Sequence, residues 1–100
     1  MIIYNVTVKV DQSVSEEWLA WMQAEHIPKV MLTGCFVEHH IFKVLVDDPD
    51  GPTFSIQYLC RNMEDYDRYQ EQHAKELQAE TQKIYGNRMV AFRTLLELVA

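Results

Sequence analysis

Hydrophobic and polar residues alternate with a period of two in residues 2–10 and 53–61, and residues 35–46 (CFVEHHIFKVLV) predict a long strand between them. Such alternation, rich in β-branched side chains, is typical of β-strands. The stretch at residues 47–52 (DDPDGP) is a strong turn signal, so we expect the second and third strands to form a hairpin. Residues 88–99 (RMVAFRTLLELV) predict a fourth strand.

Two segments between these strands carry the apolar spacing of helices. The first begins near Ser13 and Glu16, which have the spacing of a capping box, and runs to about Glu25. Pro28 lacks a backbone N–H, so we expect this helix to kink or restart there. A short turn should then lead to its end at Gly34.

The second helix is predicted from an N-cap at Asn62 to about Tyr85. The resulting order, βαββαβ, predicts a ferredoxin-like α+β fold in a single domain over residues 1–100. Because crossovers are right-handed, the first and third strands should lie in the centre of an antiparallel four-stranded sheet, with both helices on one face. The buried stripe of the second helix is expected to contain Tyr66, Tyr69, His73, Leu77 and Ile84, with Ala74 and Thr81 beside it.

Composition and charge narrow the classes of partner. The net charge is −6, since 15 acidic residues outnumber 9 basic ones, and the basic residues form no cluster. A surface for duplex nucleic acid or an anionic membrane needs clustered Lys and Arg, so we expect neither partner. Cys35 and Cys60 have no paired spacing, and the chain starts as a strand without a signal peptide. We therefore expect free thiols and a cytoplasmic location.

Helices cover only one face of such a sheet, and the predicted helix-facing set is Tyr4, Val6, Val8, Phe42, Val44, Phe54, Ile56, Tyr58, Val90, Phe92 and Leu96. On the open face, apolar residues of the outer strands, Leu45, Met89 and Ala91 among them, would surround a polar centre. Soluble monomers seldom expose such a patch, so we expect a homodimer formed through the sheet. In the alternative, the edges curl and cover themselves. The predicted dimer-face residues are Asn5, Thr7, Val37, His39, Ile41, Ser55, Gln57, Arg93 and Leu95.

The segment at residues 25–36 (EHIPKVMLTGCF) has a His-x-Pro step, a turn and a glycine, and it resembles the dimeric α+β-barrel superfamily. That superfamily includes EthD-like proteins, antibiotic-biosynthesis monooxygenases and NIPSNAP-type proteins. Together with residues 54–58 (FSIQY) and 90–97 (VAFRTLLE), the same segment is similar to an uncharacterised bacterial family, domain of unknown function 4286. This likeness covers nearly the whole chain and implies a fold and a dimer, without an established activity.

The monooxygenases of the superfamily place an Asn on the first strand, and a Trp and a His on the second helix, around their pocket. Asn5 and His73 lie on comparable elements here, but the second helix contains no Trp. Asn5 also alternates away from Tyr4 and Val6, out of the helix–sheet layer. The resemblance therefore does not carry monooxygenase activity over to this chain.

An aromatic-lined pocket between the helices and the sheet is the candidate site for a small molecule. Histidine titrates near neutrality, so His26 and His73 are the candidate catalytic residues, with Tyr58 orienting the ligand. In the alternative, His26 fixes the proline turn, His73 is a hydrogen-bonded core histidine, and the aromatic residues form an ordinary core. Other expected pocket residues are Tyr4, Trp21, His40, Tyr66 and Tyr69.

His39 and His40 are neighbours on a strand and point to opposite faces, and no three residues have the spacing of a metal site. We therefore expect neither a metal nor a cofactor. Two functional hypotheses remain. In the first, a homodimer binds a small cyclic or aromatic molecule and transforms it by His/Tyr acid–base chemistry. In the second, the chain is a non-catalytic dimeric module whose surface serves a partner protein.

Overall fold

The sheet in this computed structural model, which describes residues 1–100, has four antiparallel strands. They are β1 (Ile2–Val10), β2 (Glu38–Lys43), β3 (Thr53–Cys60) and β4 (Met89–Glu97). Their spatial order is β2-β3-β1-β4, so the first and third strands are central, and the predicted ferredoxin-like βαββαβ topology is confirmed.

The first helical arm runs without interruption past Pro28. It consists of a 3₁₀ turn (Gln12–Val14), α1 (Ser15–Trp21), a π-helical turn (Met22–His26) and α2 (Ile27–Leu32). Pro28 has no N–H, and its ring crowds the preceding turn, so the wider π turn accommodates the break in the regular ladder. The predicted irregularity is therefore present, but residues 28–32 are helical rather than a turn.

The second helical arm consists of α3 (Met63–Tyr69), a π-helical turn (Gln70–Ala74) and α4 (Lys75–Tyr85), followed by a 3₁₀ turn (Gly86–Arg88). Its predicted N-cap is confirmed, because the Asn62 side chain accepts from the Asp65 N–H at 2.9 Å. The π turn adds a residue to one turn and rotates the side chains that follow. As a result Tyr85 is buried, and Ile84, which we expected to be buried, is 41% exposed.

The main core lies between the central strands and the two helical arms. Four alternating residues of β3 are buried, as expected for a strand with one covered face. On β1 the same alternation points Tyr4, Val6, Val8 and Val10 toward the helices, although Val6 stays partly exposed. The buried residues with the largest side chains in this layer include Trp18, Phe36, Phe54, Ile56, Tyr58, Tyr69 and Tyr85.

Both outer strands present the opposite faces from those we predicted. Directly paired residues of antiparallel strands point to the same face. His39 pairs with Tyr58 and Ile41 with Ile56, so these β2 residues face the helices. Correspondingly, Phe42 pairs with Ser55 on the open face.

The residues of β4 also point to the opposite faces from those predicted. Arg93 pairs with Val6 and faces the helices, whereas Phe92 pairs with Thr7 on the open face. The predicted face was thus wrong for His39, His40, Ile41, Phe42, Met89, Val90, Ala91, Phe92, Arg93, Leu95 and Leu96. Both alternations of these strands contain apolar residues, so periodicity alone cannot choose between two registers that differ by one residue.

Three further residues of the predicted sheet faces lie outside the strands. Val44, predicted to face the helices, follows β2, and its N–H donates to the Thr53 carbonyl at 2.9 Å. Val37 precedes β2, although its N–H still donates to the Leu59 carbonyl at 2.8 Å. Leu45 follows β2 and is almost fully exposed. No helix in the structure combines the length and the apolar character that a membrane span requires.

Candidate functional site

A cavity of about 430 Å³ lies between the sheet and the helices. Its walls come from β1, β3 and β4 on one side, and from α1, the first π turn, the end of α3 and α4 on the other. This volume is within the range of small-molecule sites. The lining is mainly apolar and aromatic, with Tyr4, Val6, Val8, Trp18, Met22, Ile56, Tyr58, Tyr69, Met89 and Ala91 as its larger part.

Three tyrosines meet at one end of this cavity. The rings of Tyr4 and Tyr58 stack with centroids 6.0 Å apart, and Tyr69 is tilted against Tyr4 at 5.8 Å. Burial raises the pKa values of the Tyr58 and Tyr69 phenols, so both remain protonated donors at neutral pH. The predicted cavity residues Tyr4, Tyr58 and Tyr69 therefore do lie together on the wall.

Two buried donors in this wall have no partner. The Nε1–H of Trp18 and the hydroxyl of Tyr58 are inaccessible and accept or donate no hydrogen bond within the chain. An unsatisfied buried donor costs about 1–3 kcal/mol, and such groups are rare in native proteins. Both residues line the same cavity, which concentrates the unmet hydrogen-bonding capacity in one place.

His26 lies on the cavity wall at the end of the first π turn. Its Nδ1 is 3.3 Å from the Thr81 hydroxyl, and that hydroxyl donates to the Leu77 carbonyl, also at 3.3 Å. The hydroxyl carries one proton, so when it donates to the Leu77 carbonyl it accepts from Nδ1–H of His26. In that arrangement the neutral imidazole is the tautomer that leaves Nε2 with its lone pair free.

Burial lowers the pKa of His26 to about 4, and the positive charges of Lys29 and Arg93 act in the same direction. Glu80 opposes them, because it stabilises the imidazolium. The indole of Trp21 packs on the imidazole with centroids 5.4 Å apart. At neutral pH the cavity thus contains an uncharged histidine, whose burial also weakens it as a base.

The structure separates His73 from His26. The imidazole of His73 stacks on the outer side of Tyr69 at 6.3 Å and makes no hydrogen bond. His73 does not line the cavity, and the hydroxyl of Tyr58 has no hydrogen-bond partner. The second π turn accounts for this placement, because His73 lies within it, where the helical phase changes.

Other predicted pocket residues also lie outside the cavity lining. Trp21 packs against the imidazole of His26 and contacts the ring of Tyr85 edge-on. Tyr66 packs against Tyr4. His40 is on the open face, where its Nε2 is 2.8 Å from a Glu38 carboxylate oxygen. For His40 the cause is the register of β2 described above.

Arg93 is a cavity residue that we had assigned to the open face. Its Nε–H donates to the Tyr4 hydroxyl at 3.1 Å, and it belongs to no ion pair. Thr81, expected only beside the buried stripe of the second helix, also lines the cavity. The available signal for Arg93 was a lone charged residue within the apolar stretch at residues 89–96.

The sheet order and the single helical layer define a ferredoxin-like α+β protein. The chain belongs to the family described as domain of unknown function (DUF4286), whose model matches residues 1–99. The predicted resemblance is thereby confirmed. A search among curated proteins finds no match.

Several solved structures share the fold. An EthD-family protein from Bacillus halodurans has a TM-score of 0.68 at 8% identity, with 99% of this chain and 100% of that chain covered. A dimeric ferredoxin-like protein from an uncultured marine organism has a TM-score of 0.68 at 18% identity, with coverages of 100% and 96%. Another of the same description has a TM-score of 0.67 at 8% identity, with coverages of 99% and 95%. At such identities the likeness concerns the fold alone.

Proposed function

We propose that this protein is a homodimer that binds a small cyclic or aromatic molecule in the helix–sheet cavity. The observation that carries the proposal is the pair of unpartnered donors, Trp18 Nε1–H and the Tyr58 hydroxyl, in the wall of one cavity. Both atoms are inaccessible in the empty protein, so a ligand would reach them only after small rotations of the two side chains. Accepting from them would then recover hydrogen bonds that the empty protein forgoes. The aromatic rings and aliphatic side chains around them offer an apolar surface for the rest of the ligand.

His26 is the residue of this cavity that is equipped for proton transfer. Its Nδ1–H is engaged by Thr81, so the free Nε2 is the atom that would accept a proton from a bound molecule. The exchange of protons between His26 and His73 is no longer part of the proposal, because His73 is not at the cavity. Tyr58 would orient the ligand as a hydrogen-bond donor.

The homodimer is supported by the open face of the sheet. Phe42, Val90, Phe92 and Leu96 are each 41% or more exposed and surround the central residues of β1 and β3. Within the polar centre, the Ser55 hydroxyl donates to Asn5 Oδ1 at 2.6 Å, and Asn5 Nδ2 donates to the Thr7 hydroxyl at 3.2 Å. Two of the structurally similar proteins are described as dimeric. A second copy placed face to face would cover the apolar residues.

The cavity proposal is tested by titrating the full chain with three planar probes, naphthol, naphthamide and naphthoate, which share a ring system and differ in their polar group. The readout is the NMR resonance of the Trp18 indole N–H, identified with a Trp21→Phe variant, which leaves a single indole. We expect at least one probe to shift this resonance, and the Tyr58→Phe variant to bind it more weakly. If no probe shifts it, the binding function is wrong and the alternative of a non-catalytic module that serves a partner protein is favoured.

The proposal also retains a cytoplasmic location. Cys35 and Cys60 are both buried free thiols, which suits a reducing compartment. Burial raises the pKa of the Cys60 thiol, so it stays protonated and unreactive there.

A further inference from the structure

The charges around the cavity have one sign. Of the nine basic side chains in the protein, Lys75 and Arg93 line the cavity, whereas none of the 15 acidic side chains does. The protein as a whole carries a net charge of −6, so this local excess of positive charge runs against the composition. A low-dielectric cleft lined by one sign of charge concentrates ligands of the opposite sign.

Arg93 is positioned but not neutralised. Arg93 is exposed, so its guanidinium lies at the opening of the cavity. Its Nε–H donates to the Tyr4 hydroxyl at 3.1 Å, while its two terminal amino groups have no partner within the chain and are open to solvent or to a ligand. Accepting this bond leaves the Tyr4 hydroxyl proton free to be donated elsewhere. The guanidinium charge shifts the pKa values of neighbouring groups. It lowers the pKa of His26 and opposes the rise in the pKa values of Tyr66 and Tyr69.

The carboxylate nearest to this region is already engaged. Glu80 contributes to the environment of His26, but both of its oxygens bind Lys29 Nζ, at 2.9 and 3.1 Å. His26 itself is neutral at physiological pH. No group of the chain therefore supplies the counter-charge that Arg93 lacks.

We infer that the cavity binds an organic anion, a small aromatic or alicyclic carboxylate whose oxygens accept from Arg93 and the neighbouring tyrosine hydroxyl. This inference rests on the proposed binding function and specifies its ligand class. Guanidinium groups bind carboxylates through two parallel N–H donors, and both terminal amino groups of Arg93 are available for this. The ring of the ligand packs against the apolar wall formed by Val6, Val8, Ile56, Met89 and Ala91.

The test compares naphthoate with naphthamide, which have nearly the same shape and differ in charge. Affinities are measured with the full chain at low salt, about 50 mM, where charge effects are little screened. The Trp18 indole resonance reports binding in the cavity. We expect naphthoate to bind about 10-fold more tightly than naphthamide, which corresponds to about 1.4 kcal/mol.

The Arg93→Gln substitution should abolish this preference while the affinity for naphthamide stays within about twofold, because Gln keeps a donor near Tyr4 but removes the charge. Arg93→Lys should retain part of the preference. The matched control is Arg61→Gln, which removes an equal charge from an exposed residue outside the cavity and should leave the preference unchanged.

Three results would overturn the inference. Equal affinities for naphthoate and naphthamide, with the Trp18 resonance shifted by both, would exclude the anion preference and leave the proposed binding function standing. A preference that survives Arg93→Gln would exclude Arg93 as its source. The absence of binding by either probe would overturn the inference together with the proposed function.

Discussion

The two faces of the sheet differ in the kind of group that lacks a hydrogen-bonding or packing partner. On the helix-covered face, the unpartnered groups are polar: the Trp18 indole N–H and the Tyr58 hydroxyl are buried, and the terminal amino groups of Arg93 are exposed. On the open face, Ser55 and Asn5 are hydrogen-bonded to each other, and the residues without a partner are apolar and exposed, with Phe92 at 65%. A missing hydrogen-bond acceptor calls for a small ligand, whereas a missing apolar surface calls for a second protein surface.

The largest expected effect concerns the open face. Phe92→Glu should convert the homodimer to a monomer, because a charge would be buried twice in a two-fold interface, at a cost of about 4 kcal/mol or more. Sedimentation at about 50 μM measures this, since a stable interface buries roughly 800 Å² per partner. Leu32→Glu, a matched change at an 85% exposed residue of α2, should leave the dimer intact. A monomeric wild-type protein at that concentration would contradict the role we give to the open face.

The next effect concerns His26 and the covered face. Its pKa is about 4 in the folded protein and 6.5 in the absence of burial, so the unfolded chain binds the proton more readily. The free energy of unfolding should therefore fall as the pH drops from about 6.5 to about 4, by up to roughly 3 kcal/mol from this residue.

Urea denaturation of the wild type and of His26→Gln at a series of pH values, at fixed protein concentration, isolates this contribution. Other carboxylates titrate in both proteins, so the difference between the two curves is the quantity of interest. The variant should be less sensitive to pH between those limits. Parallel curves would mean that the imidazole is solvated in the folded protein, and that its burial does not hold it neutral.

A smaller pair of effects should have opposite signs on the two faces. Tyr58→Phe removes an unsatisfied buried hydroxyl and should raise the free energy of unfolding by about 1 kcal/mol, while weakening probe binding. Ser55→Ala removes the donor of the 2.6 Å bond to Asn5 and should lower it by about the same amount. Thermal or urea unfolding measures both. Destabilisation by both substitutions would show that Tyr58 has a partner in solution, such as an ordered water.

The smallest effect is expected at His73. Because it lies outside the cavity, His73→Gln should change the affinity for naphthoate by less than about twofold, well under 1 kcal/mol. Titration followed at the Trp18 resonance measures the affinity. Tyr69→Phe is the informative companion, since Tyr69 lies between His73 and the cavity. A large loss of affinity in His73→Gln, without a loss in Tyr69→Phe, would show that His73 belongs to the binding site.

The elements and their order could be predicted because each depends on local signals. The alternation of β1, the turn at residues 47–52 and the N-cap at Asn62 correspond to the observed structure. The second π turn had no such signal. It shifts the helical phase without a residue type that marks it, and so His73 and Ile84 were assigned positions that they do not occupy.

The candidate site was predictable only in part for the same reason. Tyr4, Tyr58 and Tyr69 were expected in the pocket because they lie on central strand or helix positions with a clear phase. Arg93 was missed, and His40 was wrongly included, because each outer strand carries apolar residues on both faces. A register shift of one residue exchanges the faces of a whole strand.

The sequence by itself therefore determined the ferredoxin-like topology, the identity of the central strands and the surplus of apolar surface that a second copy would cover. Only the tertiary structure decided which side chains share the cavity and which lie on the open face. The physical reason is that periodicity and capping act within one segment, whereas strand register and the pairing of buried polar groups arise between segments that are distant in the chain. The unneutralised charge of Arg93 became visible only once that register was known.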